Sequence, residues 1–287
     1  MTTEKLELLA NSIRQDIIEM LIEAGSGHTA GPLGLADIFA ALYGKVLIHD
    51  PKKPDWPDRD RLILSNGHVV PVRYAAMAEV GYFPKAELKS LRRFGSRLQG
   101  HPERLRLPGL ESTSGPLGSG LSQAGGMAYA FRMDGRKHVR VYCVTGDGEL
   151  QEGNVWEAAM FIGKNRLSNL TMIIDRNNIQ IDGPTESVMP LEPLGMKFQA
   201  FGWHVIEVDG HNIEQIEAAC EQAKAIFEKP TCIIAHTIAG KGVDFIEYDF
   251  RWHGYDPTGD TSDKLRDYRH ALSELRTLRG KIKSEHE

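Results

Sequence analysis

Leu6, Leu9, Ile13, Ile17 and Met20 recur at steps of three and four among charged neighbours. That spacing predicts a helix over residues 4 to 24 with a single buried stripe, stopping at Gly25. A Gly-rich loop follows from Gly25 to Gly34, then a short apolar helix around Leu35 to Tyr43 in which Asp37 is the only charge. Pro51, Pro54 and Pro57 stand among charges over residues 50 to 60, the pattern of a surface crossing, ahead of a strand-like run at Arg61-Leu62-Ile63-Leu64-Ser65. Helical segments at 71 to 80 and 84 to 94 lead into a long irregular stretch from Gly95 to Gly115. Loops of that length in a compact chain are usually functional or mobile. Gly115-Pro116-Leu117-Gly118-Ser119-Gly120 then opens a helix of small residues through Ala130, able to lie close to a neighbouring backbone.

From residue 138 onward strands and helices alternate. Strands are expected at 139–145, 170–175, 204–208 and 231–237, with helices at 154–163, 192–200 and 213–227 between them. Apolar strands separated by helices predict an α/β fold, a doubly wound, mostly parallel sheet with helices on both faces. Residues 1–260 read as one α/β domain ending in a loop that contains Gly and aromatic residues. Residues 261–287 read as a charged, helical carboxy-terminal tail packed on that domain or on a partner.

Composition narrows the classes. With 41% hydrophobic and 25% charged residues over 287 positions, a sizeable core is available and a disordered or fibrous chain is excluded. Lys plus Arg number 34 against 39 Asp plus Glu, a formal charge of −5, with no basic run beyond pieces such as Leu91-Arg92-Arg93, so nucleic acid is not an expected partner. Cys143, Cys220 and Cys232 have no metal or redox spacing. No stretch approaches the roughly 18 apolar residues of a membrane span, and the start lacks an apolar signal region. A reducing, cytoplasmic setting without membrane contact is the expectation.

Ligands of open α/β sheets sit beyond the carboxyl ends of the strands, so the loops there carry the chemistry. Gly146-Asp147-Gly148 is the most informative. Its glycines permit close backbone approach, and the following helix offers free N–H groups to a phosphate. Asp147 would repel that anion unless a cation lay between them. Mg²⁺ resolves the conflict, because it takes carboxylate, amide and carbonyl oxygens together with phosphate oxygens. Asn177, just past the neighbouring strand, and the Ile179 backbone carbonyl can supply the remaining protein ligands. Asp-Gly after a strand is, taken alone, commonly only a turn. Other nucleotide signatures fail: the Gly-Lys pairs at Gly44, Gly163, Gly240 and Gly280 are never followed by Ser or Thr, and Gly146-Asp147-Gly148-Glu149-Leu150-Gln151 lacks the third glycine of a dinucleotide fingerprint.

Gly146-Asp147-Gly148 followed by Asn177-Asn178 resembles the thiamine diphosphate motif of the transketolase superfamily. Ser26-Gly27-His28, Asp58-Arg59-Asp60-Arg61, Ser65-Asn66-Gly67-His68, Gly100-His101-Pro102-Glu103, Gly115-Pro116-Leu117-Gly118 and Trp252-His253-Gly254 match the amino-terminal half of transketolases in the same order. The departures are Thr29, where members often have Pro, and Val69-Val70, where they often have Gly-Ser.

The resemblance implies that Asp147, Asn177 and the Ile179 carbonyl hold Mg²⁺, a site Ca²⁺ or Mn²⁺ can also fill, and that the Gly146–Gly148 backbone holds the diphosphate. It places His68 and His253 near the diphosphate and reacting centre, Gly115 and Leu117 at the aminopyrimidine, and Ile181 beside the thiazolium. His28 and His101 face the sugar, and Glu152 and Glu157 a subunit interface, although both glutamates equally suit the amino-terminal charges of a helix. Of the 11 histidines, those four stand in Gly-flanked loops where an imidazole can donate, accept and carry protons; His49, His138, His270 and His286 read as structural. The implied reaction passes a two-carbon ketol unit from a ketose phosphate to an aldose phosphate. The family's glutamate that protonates the aminopyrimidine ring belongs to a pyrimidine-binding domain this chain does not contain. The expectation is therefore the amino-terminal subunit of a split transketolase, paired with a carboxy-terminal subunit in an α2β2 heterotetramer. A related thiamine diphosphate enzyme acting on an unusual sugar, a deoxyxylulose-phosphate-synthase-like enzyme, and a non-catalytic cofactor-binding module are the alternatives.

Overall fold

A computed structural model describes residues 1–254 and 262–278. The domain boundary expected at 260, the last part of the tail and His286 lie outside the described residues. Strands β1 (Arg61–Leu64), β2 (Val141–Gly146), β3 (Leu170–Arg176), β4 (Ile179–Gln180), β5 (Gly183–Pro184), β6 (His204–Asp209) and β7 (Thr231–His236) alternate with helices along the chain. The helices are α1 (Thr3–Ala24), α2 (Ala30–Gly34), α3 (Ala36–Ala41), α4 (Val70–Glu79), α5 (Ser119–Met133), α6 (Gly153–Lys164), α7 (Thr185–Val188), α8 (Leu194–Ala200), α9 (Ile213–Ala225) and α10 (Ser262–Thr277). Five strands form one parallel sheet in the order β1-β2-β3-β7-β6.

Side chains alternate across a strand, and here the alternation sorts the core into two layers. Leu62, Leu64, Tyr142, Val144, Ile173, Ile233 and Ala235 join the layer built by α1, α3, α4, α9 and α10. Ile63, Val141, Cys143, Met172, Ile174, Cys232 and Ile234 join the layer under α5, α6 and α8. Helices therefore cover both faces, as the near-continuous apolar runs of the strands require. Cys143, Cys220 and Cys232 are free and buried, and no described helix is long and apolar enough to cross a membrane.

Two expectations need correction, and one short element has no counterpart in the sequence reading. The Gly25–Gly34 loop contains a helical turn, α2, whose glycines serve packing: a Cβ on Gly34 would lie 2.8 Å from the Ile238 carbonyl oxygen. No α-helix spans 84–94; only a 3₁₀ turn forms over Lys85–Ser90, and the chain then adopts a left-handed backbone at Arg92 and Gly95. The two-residue strands β4 and β5 pair antiparallel, a hairpin too short to leave a period in the sequence. In the tail, Tyr268, Ala271 and Leu275 are buried in the α1 layer, and Asn11 donates to the Leu275 carbonyl at 3.1 Å.

Candidate active site

Because β1, β2, β3 and β7 run parallel, their carboxyl ends open along one edge of the sheet. A cleft of about 420 Å³ lies there. Past β1 stand Asn66 and His68, past β2 Asp147 and Gly148, and past β3 Asn177, Ile179 and Ile181; all line the cleft with Gly146. The loops before α2 and α5 and after the Phe250–Trp252 turn add His28, Gly115, Leu117 and His253, and the irregular stretch adds His101. Glu152 borders the same cleft, whereas Glu157 is exposed on α6 outside it. Ile181, at 65% exposure, forms the lip.

Asp147 is 1% exposed. Its Oδ1 accepts the Gly148 N–H at 2.8 Å, and its Oδ2 accepts from Arg176 at 3.0 Å and the Asn178 N–H at 2.7 Å. Burial pushes its carboxyl up to about 6, with Arg176 and these donors pulling the other way. A carboxylate offers about four acceptor positions, so one remains for a cation that would offset the same burial cost. Asn177 is oriented by Asp175, whose Oδ2 accepts its Nδ2–H at 2.9 Å, and Asn177 Oδ1 accepts the Ile179 N–H at 3.1 Å, which leaves its second lone pair open. Asp175, pushed up to about 7 by burial, also accepts from the Thr237 hydroxyl.

Thiamine diphosphate with a divalent cation fits this donor set. Among the described residues no three His, Cys, Asp or Glu side chains converge to cage a metal. One carboxylate and one amide oxygen make an oxygen-only, incomplete shell, as a hard cation sharing its coordination with a diphosphate needs. Asn66 Oδ1 faces the same region buried and without a hydrogen-bond partner, an acceptor that a bound donor would satisfy.

Three histidines meet at the other side of the cleft. Ring centroids of His28 and His68 are 4.8 Å apart, of His68 and His253 5.1 Å, and of His28 and His253 5.5 Å. Burial lowers His28 to about 4, aided by repulsion from His253 and His101 in their protonated forms and from Arg92, and burial likewise lowers His68, His101 and His253. All four are therefore neutral near pH 7, each with one donor and one acceptor nitrogen. An unfolded histidine takes up a proton near 6.5 that folded His28 refuses, so stability is full above pH 6.5 and falls as pH drops toward 4. In the ligand-free protein the His28 C2–H resonance is expected to titrate with a midpoint near 4, and His28→Asn should flatten the stability curve between those two pH values. A His28 midpoint near 6.5 would show the cluster to be open to water.

Both departures from the family pattern have structural partners. Thr29 is buried with its hydroxyl against that of Tyr268, so α10 touches the residue beside His28. Val69 and Val70 are buried in the α1 layer. Sequence reasoning missed Asn66 as an individual ligand candidate, Asp175 and Arg176 as partners of Asn177 and Asp147, and Glu149, which also lines the cleft. Glu149 was visible only as one more acid at the start of a helix.

The transketolase thiamine diphosphate-binding domain profile matches residues 6–272. The chain is 47% identical over 242 residues to the 6-deoxy-6-sulfo-D-fructose transketolase subunit of Clostridium sp., covering 84% of this chain and 88% of that one. It is 39% identical over 260 residues to an apulose-4-phosphate transketolase subunit of Phocaeicola vulgatus, covering 91% and 92%. The transketolase of Campylobacter jejuni superposes with a TM-score of 0.83 at 33% identity over 99% of this chain and 49% of that enzyme, so the chain spans about half its length. Matched in family over nearly all its residues, the chain belongs to the transketolase family and carries its thiamine diphosphate-binding domain.

Proposed function

We propose that this subunit transfers a two-carbon ketol unit from a ketose phosphate to an aldose phosphate only when joined to a carboxy-terminal subunit carrying the pyrimidine-binding domain, in a cytoplasmic α2β2 heterotetramer. The observation that carries the reading is the convergence of Asp147, Asn177, His28, His68 and His253 on one cleft at the strand ends. Thiamine diphosphate, when bound, supplies a carbanion and an electron sink for breaking the bond beside a carbonyl. Asp147, Asn177 and the Ile179 carbonyl hold Mg²⁺, and the Gly146–Gly148 backbone approaches the diphosphate. Gly115 and Leu117 meet the aminopyrimidine and Ile181 the thiazolium. His68 and His253 donate near the diphosphate and reacting centre. His28 and His101 take or return protons at sugar hydroxyls, a task suited to imidazoles that are neutral at working pH. Glu152 and Glu157 face the neighbouring subunit.

A second reading, an uncommon sugar as substrate, is favoured by the names of the two subunit-length relatives, one for a 6-deoxy-6-sulfo sugar and one for apulose-4-phosphate. One experiment addresses both. The purified chain, alone and mixed with its carboxy-terminal partner, is assayed with a panel of ketose donors, and the native complex is weighed by mass spectrometry. Transfer confined to the mixture, with two copies of each chain, is expected. Full transfer by the isolated chain would contradict the split arrangement, and turnover of only a sulfonated or branched ketose would select the second reading.

A further inference from the structure

One buried acid in the cleft is left over once the cofactor and metal ligands, and Asp175 that orients Asn177, are assigned. Glu149 is 3% exposed and stands two residues beyond Asp147. Its Oε1 accepts the Ser65 hydroxyl at 2.5 Å and the Gly118 N–H at 2.6 Å, and its Oε2 accepts the Gly146 N–H at 3.1 Å. The Ser65 oxygen in turn accepts the Gly120 N–H at 3.0 Å. Three backbone donors thus converge on one hydrogen-bonded side-chain pair, and three segments of the chain meet there. The segments are the loop after β1, the last residue of β2 and the entry to α5.

The surroundings are shaped for this knot. A Cβ on Gly120 would sit 2.4 Å from Ser65 Oγ and 2.6 Å from its Cα, so α5 reaches Ser65 only because that position carries no side chain. Gly118 has φ of 81°, and a Cβ there would meet Asn154 Oδ1 at 1.9 Å. All the groups facing Glu149 in this network are donors, which suits a carboxylate, an acceptor at both oxygens. An amide in its place would aim its own N–H at one of them.

We propose that Glu149 is a positioning residue that clamps the three segments, so that Asn66 and His68, Gly115 and Leu117, and Asp147 face one bound ligand. The identity of that ligand, thiamine diphosphate with a divalent cation, rests on the function proposed above. Burying the charge is tolerable only while its donors are in place, and losing one leaves the others aimed at an under-satisfied acid. The three loops are therefore held together or released together.

The test uses Glu149→Gln, Ser65→Ala, the double variant, and Phe198→Leu as a core change away from the cleft. Amide hydrogen exchange on the ligand-free full chain reads the clamp directly. Gly118 and Gly146 should lose at least about 10-fold protection in Glu149→Gln, and Gly120 in Ser65→Ala. Titration calorimetry with thiamine diphosphate and Mg²⁺ then reads its purpose. About 10- to 100-fold weaker binding is expected for Glu149→Gln, the range seen for groups that orient metal ligands. The double variant should be no worse than Glu149→Gln alone, because both changes open the same knot. A merely structural acid would lower the melting temperature, as Phe198→Leu is expected to, and leave the affinity of the folded chain unchanged. Unaltered exchange at Gly118 and Gly146, or additive losses in affinity, would overturn the clamp. Should Glu149→Gln not fold, Ser65→Ala decides the same point through Gly120. A wild-type chain that fails to bind thiamine diphosphate would sink the functional reading and the clamp's assigned purpose, while the exchange data would still judge the clamp.

Discussion

Asp147→Ala is expected to weaken Mg²⁺-dependent binding of thiamine diphosphate by more than about 100-fold, measured by titration calorimetry. Loss of a group that merely orients a metal ligand typically costs about 10- to 100-fold, and in the function proposed above Asp147 is the sole carboxylate of the metal shell. The diphosphate keeps its charge after the substitution, while its cation loses the one anionic protein ligand. The fold should tolerate the change. Arg176 loses one partner and keeps Glu186 at 2.7 Å and Glu192 at 3.0 Å, and the removed carboxyl was itself burdened by burial. The melting temperature of the ligand-free protein is therefore expected to move little. His270→Ala serves as the control, since that exposed ring stacks on Phe245 and pairs with Glu274 on α10. Unchanged cofactor affinity in Asp147→Ala would mean that the ion sits elsewhere.

Asp37→Ala should be the most damaging single change to stability, at about 3–5 kcal/mol, the cost of breaking a buried ion pair by removing one partner. Asp37 on α3 pairs with Arg14 of α1, both essentially buried, and accepts from His211 Nδ1 at 2.8 Å. His211 Nε2 accepts the Ile238 N–H at 2.8 Å, and Arg14 Nε donates to the Leu33 carbonyl at 3.2 Å. The network joins α1 and α3 to the loops after β6 and β7. Burial alone would raise Asp37, yet Arg14 and His211 overcome it and hold the carboxyl at about 2. A depressed carboxyl contributes stability that is full above the unfolded value of 3.8 and is lost as pH falls through 2. In Asp37→Ala the Arg14 guanidinium is left charged in the core, and the melting temperature should fall by about 10 °C in thermal denaturation. The double variant Arg14→Met with Asp37→Leu should recover most of the loss, because apolar replacement of a whole buried pair is often neutral. If Asp37→Ala melts with the wild type, Arg14 must find water or another acid in the folded chain.

Much of the fold was legible because its signals are local. The β2, β3 and β7 runs show their two-sided burial in three or four consecutive apolar residues, and α1 shows its stripe in every turn. The segment 84–94 misled because its apolar residues were spaced like a helix, while Pro84 and the left-handed turns at Arg92 and Gly95 impose another path. Arg61–Leu64 was recognisable as strand-like. Its place beside β2 was not, since its ladder partners begin at Val141, far along the chain.

The cleft divides in the same way. Asp147, Asn177 and the loop histidines could be named because glycine-bounded loops at strand ends restrict what those residues can be for, and the resemblance then assigned them parts. Nothing local to Glu149 distinguishes it from Glu152, and only the approach of Ser65 and Gly118 turns it into an acceptor shared by three loops. Arg14 and Asp37 likewise look like ordinary helix charges until α1 and α3 pack. The amino-acid order alone determined the layered α/β class and which loops carry chemistry, because backbone periodicity and glycine geometry act over a few residues. Tertiary structure alone decided which loops meet, which charges are buried in pairs and how neutral the histidines are. Those properties are sums over neighbours that the chain brings together only when the sheet closes.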